Sequence, residues 1–135
     1  MNDDNLALMH HGVLGNVASS SSNIQGGHDY HDSNGALVAT SQPNLMHGYT
    51  FHDNQGHTIL TTRENVNGGQ DIVDHAGGLV AHDSPNIFGG FTAADVNSGI
   101  STASHENIVH GQTVTDAEGH EHSTTPNLFG GMNFC

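Results

Sequence analysis

At 135 residues, with 33% hydrophobic and 11% charged side chains and 18 glycines, the chain suits one domain with a modest core rather than a helical bundle or a highly charged disordered segment. Arg63 is the only Lys or Arg against 14 acidic residues, a formal charge of −13, and this excludes nucleic acid and anionic membranes as partners. The 13 histidines bring that charge close to zero when protonated, around a reference pKa of about 6.5, so assembly is expected to respond to pH.

Along the chain, residues 1–11 read as a degenerate N-terminal repeat, because Asn2 stands 21 residues before Asn23 but is followed by Asp3. The opening MNDDNLALMHHG has neither the basic start nor the apolar run of a signal peptide. A cytoplasmic product is therefore the default expectation, although a fibre outside the cell fits the architecture described below.

Residues 12–135 form six tandem repeats of about 21 residues. The asparagines Asn23, Asn44, Asn65, Asn86, Asn107 and Asn127 are each followed at once by an aliphatic: Ile24, Leu45, Val66, Ile87, Ile108 and Leu128. Four residues after each asparagine comes Gly27, Gly48, Gly69, Gly90, Gly111 or Gly131. Nine after it, in five of the six, comes Asp32, Asp53, Asp74, Asp95 or Asp116. Gly35, Gly56, Gly77 and Gly119 follow three residues later, and Ser98 breaks that column. The unit then ends roughly in Ser/Thr-x-x-Asn, with Pro43, Pro85 and Pro126 before the asparagine in alternate copies.

The Asn-x-x-x-Gly and Asp-x-x-Gly stretches are turn chemistry, and the segments between them (ALVATS, YTFH, TILTT, DIV and GLVAH) are strand-prone. Each unit is thus strand, turn, strand, turn, and the fold class is all-β. Rungs stacked about 4.8 Å apart would build a β-solenoid or, equally, a cross-β stack of the amyloid type, roughly 29 Å tall. In such a stack the asparagines form an amide ladder. The aliphatics that follow them would line a narrow interior with Tyr30, Phe51, Ile72, Val114 and Phe134, thinned at Ala93. The aspartates, about 4.8 Å apart, would repel by roughly 0.9 kcal/mol per pair and so must lie outside, be screened or hold a cation.

The period, the strand-turn-strand unit and the Asn and Gly columns resemble those of the curli subunits and related bacterial functional amyloids over residues 12–135. The curli repeat opens with Ser and closes with Gln, whereas the fixed core here is N-φ-x-G-G, so the resemblance is one of repeat architecture. It implies self-assembly into fibres and assigns no role to any single residue.

Two metal readings arise from the residues. Stacked carboxylates at Asp32, Asp53, Asp74, Asp95 and Asp116 could supply oxygen ligands for calcium, against the simpler role of opening turns. His120 and His122, at i and i+2 on one strand face, have a spacing able to chelate copper, nickel or zinc. No cofactor is required by either reading. Catalysis has no support, since neither G-x-S-x-G nor H-E-x-x-H is present and no His-Glu neighbours have a third group beside them. The expected function is that of a structural protein, a homopolymer growing by head-to-tail stacking of uncapped repeats and favoured by mild acidity, with Cys135 near the junction. The alternative is a monomeric metal-binding or adhesive solenoid.

Overall fold

The computed structural model describes residues 6–8, 10, 14, 16–66, 68–115 and 119–134. Its strands are β1 (Ser19–Ser22), β2 (His28–His31), β3 (Leu37–Pro43), β4 (Tyr49–Asp53), β5 (Thr58–Glu64), β6 (Gln70–Asp74), β7 (Leu79–Pro85), β8 (Phe91–Asp95), β9 (Ser101–Glu106), β10 (Gln112–Thr115), β11 (Glu121–Pro126) and β12 (Met132–Phe134). Strand, turn, strand, turn is therefore the repeating unit. The stacking expectation is overturned. Successive strands pair antiparallel and the sheet closes on itself as a 12-strand barrel, with β1 hydrogen-bonded to β12 as well as to β2.

The reason lies in the turns. At each Asn turn the asparagine N–H donates to the carbonyl of the glycine four residues on, as from Asn44 to Gly48 at 3.0 Å, so the chain doubles straight back. The Asp turns reverse it again: the Asp53 N–H donates to the His57 carbonyl at 2.9 Å. Two full reversals in 21 residues make a meander, in which equivalent residues stand two strands apart, about 9.6 Å, instead of one above another. The carboxylate repulsion expected for a stack falls by half at that spacing, to roughly 0.4 kcal/mol per pair in water.

Twelve strands enclose more space than their own inward side chains fill, since about eight strands give a lumen that side chains alone can pack. The N-terminal segment fills it. Leu6, Ala7 and Leu14 are buried against Tyr30, Ala39, Phe51, Leu60, Ile72 and Ala81, and Leu8 packs on Ala93 and Val114. Residues 6–8 are helical. Tyr30, Phe51, Ile72 and Val114 are interior as expected, and Phe134 packs against them half-buried.

The aliphatics after each asparagine are not interior. Ile24, Leu45, Val66, Ile87, Ile108 and Leu128 are 93% to 104% exposed. The amide ladder also gives way. Each asparagine Oδ1 accepts the N–H of the glycine four residues on, at 2.9 to 3.1 Å. Its Nδ2 donates to a carbonyl of the following hairpin: Ser41, Thr62, Asp83, Ser104 and Thr124, and from Asn127 back to Ser20, at 2.8 to 3.1 Å. The backbone winds around the amide, and the side chain of the next residue is thrown outward.

The fixed glycines press against those same carbonyls. A Cβ at Gly48 would enter the van der Waals radius of the Thr62 carbonyl, whereas at Gly56 it would meet open space and only the positive φ of 88° opposes it. Gly48→Ala is expected to destabilise by on the order of 2–3 kcal/mol through overpacking, and Gly56→Ala by about 1 kcal/mol through backbone strain. Urea denaturation of both variants tests this, and equal losses would contradict the assignment of the Asn-turn glycine to a packing role.

Candidate functional site

Three features stand out from the regular sheet. The first is a crown. All six Asn turns lie at one end of the barrel, each presenting its aliphatic, and Met46, Phe88, Val109 and Phe129 are also exposed in the next position. The tips, residues 24–26, 45–47, 66–68, 87–89, 108–110 and 128–130, contain no Asp, Glu, Lys or Arg. His47 and His110 occupy left-handed backbone (φ 63° and 70°) where Gly26, Gly68, Gly89 and Gly130 stand in the other turns. By repeat order these two histidines fall on opposite sides of the ring. Exposed apolar area gathered at one end of a small domain marks an interaction surface.

The second feature is the opposite end. Each aspartate Oδ1 accepts two backbone N–H groups of its own turn: Asn34 and Ala36 for Asp32, Gln55 and His57 for Asp53, Ala76 and Gly78 for Asp74, and Asn97 and Ser98 for Asp95. Chiefly the N–H of His57 draws the Asp53 carboxyl below its ordinary range, and that of Ser98 does the same for Asp95. Turn opening thus occupies one oxygen in each of these four. Asp116 lies outside the described residues, as does Cys135. His122 sits half-buried in β11 and His120 is exposed in the turn before it. Among the described residues, no three His, Cys, Asp or Glu side chains converge as a metal site.

The third feature is internal. The Ser/Thr-x-x-Asn residues form a buried ring, Ser41, Thr62, Ser104, Thr124 and Ser20, whose hydroxyls accept the N–H of His28, Tyr49, Phe91, Gln112 and Met132 respectively, at 2.8 to 3.0 Å. Asp83 takes the sixth place. Its side chain is 0% exposed, and His10, itself 10% exposed, reaches across from the N-terminal segment to place Nε2 at 3.0 and 3.2 Å from the two carboxylate oxygens. Among the described residues, His10 is the only side chain bonded to that carboxylate. In the neighbouring unit the Ser104 hydroxyl donates to Gln112 Oε1 at 3.1 Å. Gln70 stands in the place equivalent to Gln112, and its Oε1 is buried without a partner.

Sequence inspection gives the Ser/Thr column its place in the unit but not its role, and the exception at Asp83 is visible only once the column is aligned. On the outer wall, burial pushes the Asp71 carboxyl up, but hydrogen bonds from His82 (2.8 Å) and Asn65 (3.2 Å) and the charges of His82 and Arg63 outweigh it, so the net displacement is downward. Its stabilising contribution is therefore present above the unfolded carboxylate range and is lost as pH falls through the lower folded value.

No protein-family model matches this chain, and neither a curated protein nor a solved structure is significantly similar to it. What the geometry defines is a plugged antiparallel barrel of six hairpins with one apolar and one acidic end.

A buried carboxylate that loses its only side-chain partner is costly, by about 3–5 kcal/mol. His10→Ala is expected to destabilise by about 3 kcal/mol in the native background. In an Asp83→Ser background, which restores the hydroxyl and removes the buried charge, it should cost less than about 1 kcal/mol. Urea unfolding of the four proteins gives the coupling directly. Equal costs in both backgrounds would show that the pair does not fasten the plug.

Proposed function

We propose that this protein is a structural, self-associating unit whose assembly face is the crown of turn tips. The observation that carries this reading is the set of six aliphatics, one per repeat, at 93% to 104% exposure. A turn needs no aliphatic in that place, since the asparagine and glycine hold it, and six in register are an investment in a contact.

The occupant is a second copy of the same chain. The tips are uncharged, while Asp32, Asp53, Asp74 and Asp95 stand at the other end. Two molecules each carrying −13 repel least when they meet crown to crown with the acidic ends held apart. A ring of six similar hairpins is self-complementary about a two-fold axis, the symmetry most soluble homo-oligomers use. Growth by pairing strand edges is not part of the proposal, because a closed barrel offers no free edge.

Larger assemblies then require acidic ends to meet. The histidines bring the charge of the chain toward zero when protonated, which lowers the repulsion between such ends. This retains the expectation that mild acidity favours assembly.

Analytical ultracentrifugation at pH 7.5 should find a dimer in the wild type. A variant with Ile87→Ser, Phe88→Ser, Leu128→Ser and Phe129→Ser should be monomeric with unchanged circular dichroism. Light scattering should show larger particles at pH 5.5 than at 7.5. A wild-type monomer would overturn the reading, and flotation of that monomer with phosphatidylcholine vesicles would reassign the crown to an uncharged bilayer.

A further inference from the structure

In an array of near-copies, the departures from the repeat are informative, and here they fall together at β7, β8 and β9. Ala93 stands where other units place Tyr30, Phe51, Ile72 or Val114 inside the barrel. Asp83 replaces the ring hydroxyl and receives His10. The Asp95 turn is one residue longer than its counterparts: the Asp95 N–H donates to the carbonyl of Ile100, five residues on, where Asp32, Asp53 and Asp74 reach only four. The β-bulges that interrupt β2–β3, β4–β5 and β6–β7 have no counterpart in the β8–β9 pairing, nor in β10–β11. Sites where local rules fail together are where function is expected.

The result is a cleft of about 210 Å³. That is smaller than the roughly 300–1,000 Å³ of drug-sized sites, so its ligand is small. Val80, Ala81, Ala93 and Ile100 give it apolar walls, and His10, Asp95 and Thr102 supply polar groups. Asp95 Oδ1 is used by the N–H groups of Asn97 and Ser98 at 2.8 and 2.9 Å, and the Ser98 hydroxyl adds a bond to the carboxyl at the rim of the cleft. Those same N–H groups, Ser98 foremost, hold the carboxyl below its ordinary range, so it is anionic at neutral pH. The nearest group able to carry positive charge is His10, which contributes to that lowering but has its Nε2 bonded to Asp83 at 3.0 Å. Arg63 is the only Lys or Arg, and it pairs with Asp71 at 3.6 Å on the outer wall.

We propose that this cleft binds a small organic ammonium ion with an apolar body, its nitrogen at Asp95 and its body against Ala93 and Ile100. The field of a chain with 14 acidic residues and one basic one favours such a ligand's approach. A bare metal ion fits less well, since no three ligating side chains converge among the described residues.

The probe is 2-phenylethylammonium, followed by NMR titration of the wild-type protein beside 3-phenylpropanol as neutral counterpart and 3-phenylpropanoate as anionic one. Saturable shifts confined to residues 80–102 and residue 10 are expected for the ammonium alone. Asp95→Asn keeps the turn-capping oxygen and should weaken binding about tenfold. Ala93→Ile restores the bulk found at Ile72 and should abolish binding while raising the melting temperature, which separates a filled site from a misfolded protein. Equal binding of the alcohol, undiminished binding to Ala93→Ile, the absence of saturation, or the same shifts produced by calcium or zinc chloride would each overturn the proposal. None of these readouts depends on whether the crown pairs.

Discussion

The fold rests on one repeated brace, in which an asparagine is bonded at both ends of its amide. The oxygen closes the asparagine's own turn and the nitrogen holds the next hairpin at a backbone carbonyl, against which the turn glycine lies flush. The residue bearing that carbonyl also offers its hydroxyl to the strand beside it, as Thr62 does for Tyr49 at 2.8 Å. Asn, Gly and Ser/Thr are thus one device split over 18 residues of chain. Each such bond contributes on the order of 1 kcal/mol net, but an unmet partner at a buried carbonyl would cost more. The brace from Asn127 to Ser20 is the same contact made across the two ends of the chain, and it helps to shut the ring.

A ring of this width brings its own problem. The inward positions include Ala39, Ala81 and Ala93 as well as the hydroxyl ring, so the wall is too thin-coated to meet at the centre. The N-terminal leucines supply the missing apolar volume. Burying Leu6, Leu8 and Leu14 is worth roughly 1.5–3 kcal/mol each by transfer, which makes the plug part of the core rather than an appendage. His10 then meets the one carboxylate in the hydroxyl ring, so the plug has a chemical register as well as an apolar one. A segment that reads as a worn first repeat is in the structure the filling of the other six.

The repeat, its strands and turns, and the burial of Tyr30, Phe51, Ile72 and Val114 were all legible in the sequence, because period-2 alternation and turn residues depend only on local geometry. Closure was not. A period of 21 residues states how many hairpins exist and is silent on whether equivalent residues lie one strand apart in a stack or two apart in a meander. The aliphatics after asparagine misled for a different reason. Hydropathy assigns Ile24 or Leu45 to an interior, but the asparagine oxygen needs the N–H groups two and four residues on, as at Met46 and Gly48, and the loop that delivers them points the intervening side chain away from the barrel. The cleft beside Ala93 was foreshadowed only as a thinning of one column, since its other walls come from an inserted turn residue and from the plug.

Closing the ring changes how such a protein can associate. An open stack of rungs grows without limit, because every added rung presents the edge that the last one used. The meander spends all of its strand edges internally, and its strands, three to seven residues long, carry polar groups such as Asp71 and His82 on the outer wall. What remains for contact is the two ends. One consists of apolar tips without formal charge, the other of carboxylates whose charge is fixed by turn N–H groups and balanced only as histidines protonate. On the association proposed above, two chemically different ends would meet in two separable steps, the first through apolar area and the second gated by charge. The carboxylates that open the turns would also govern the second step, so on this proposal the residues that shape the barrel set the conditions under which barrels meet.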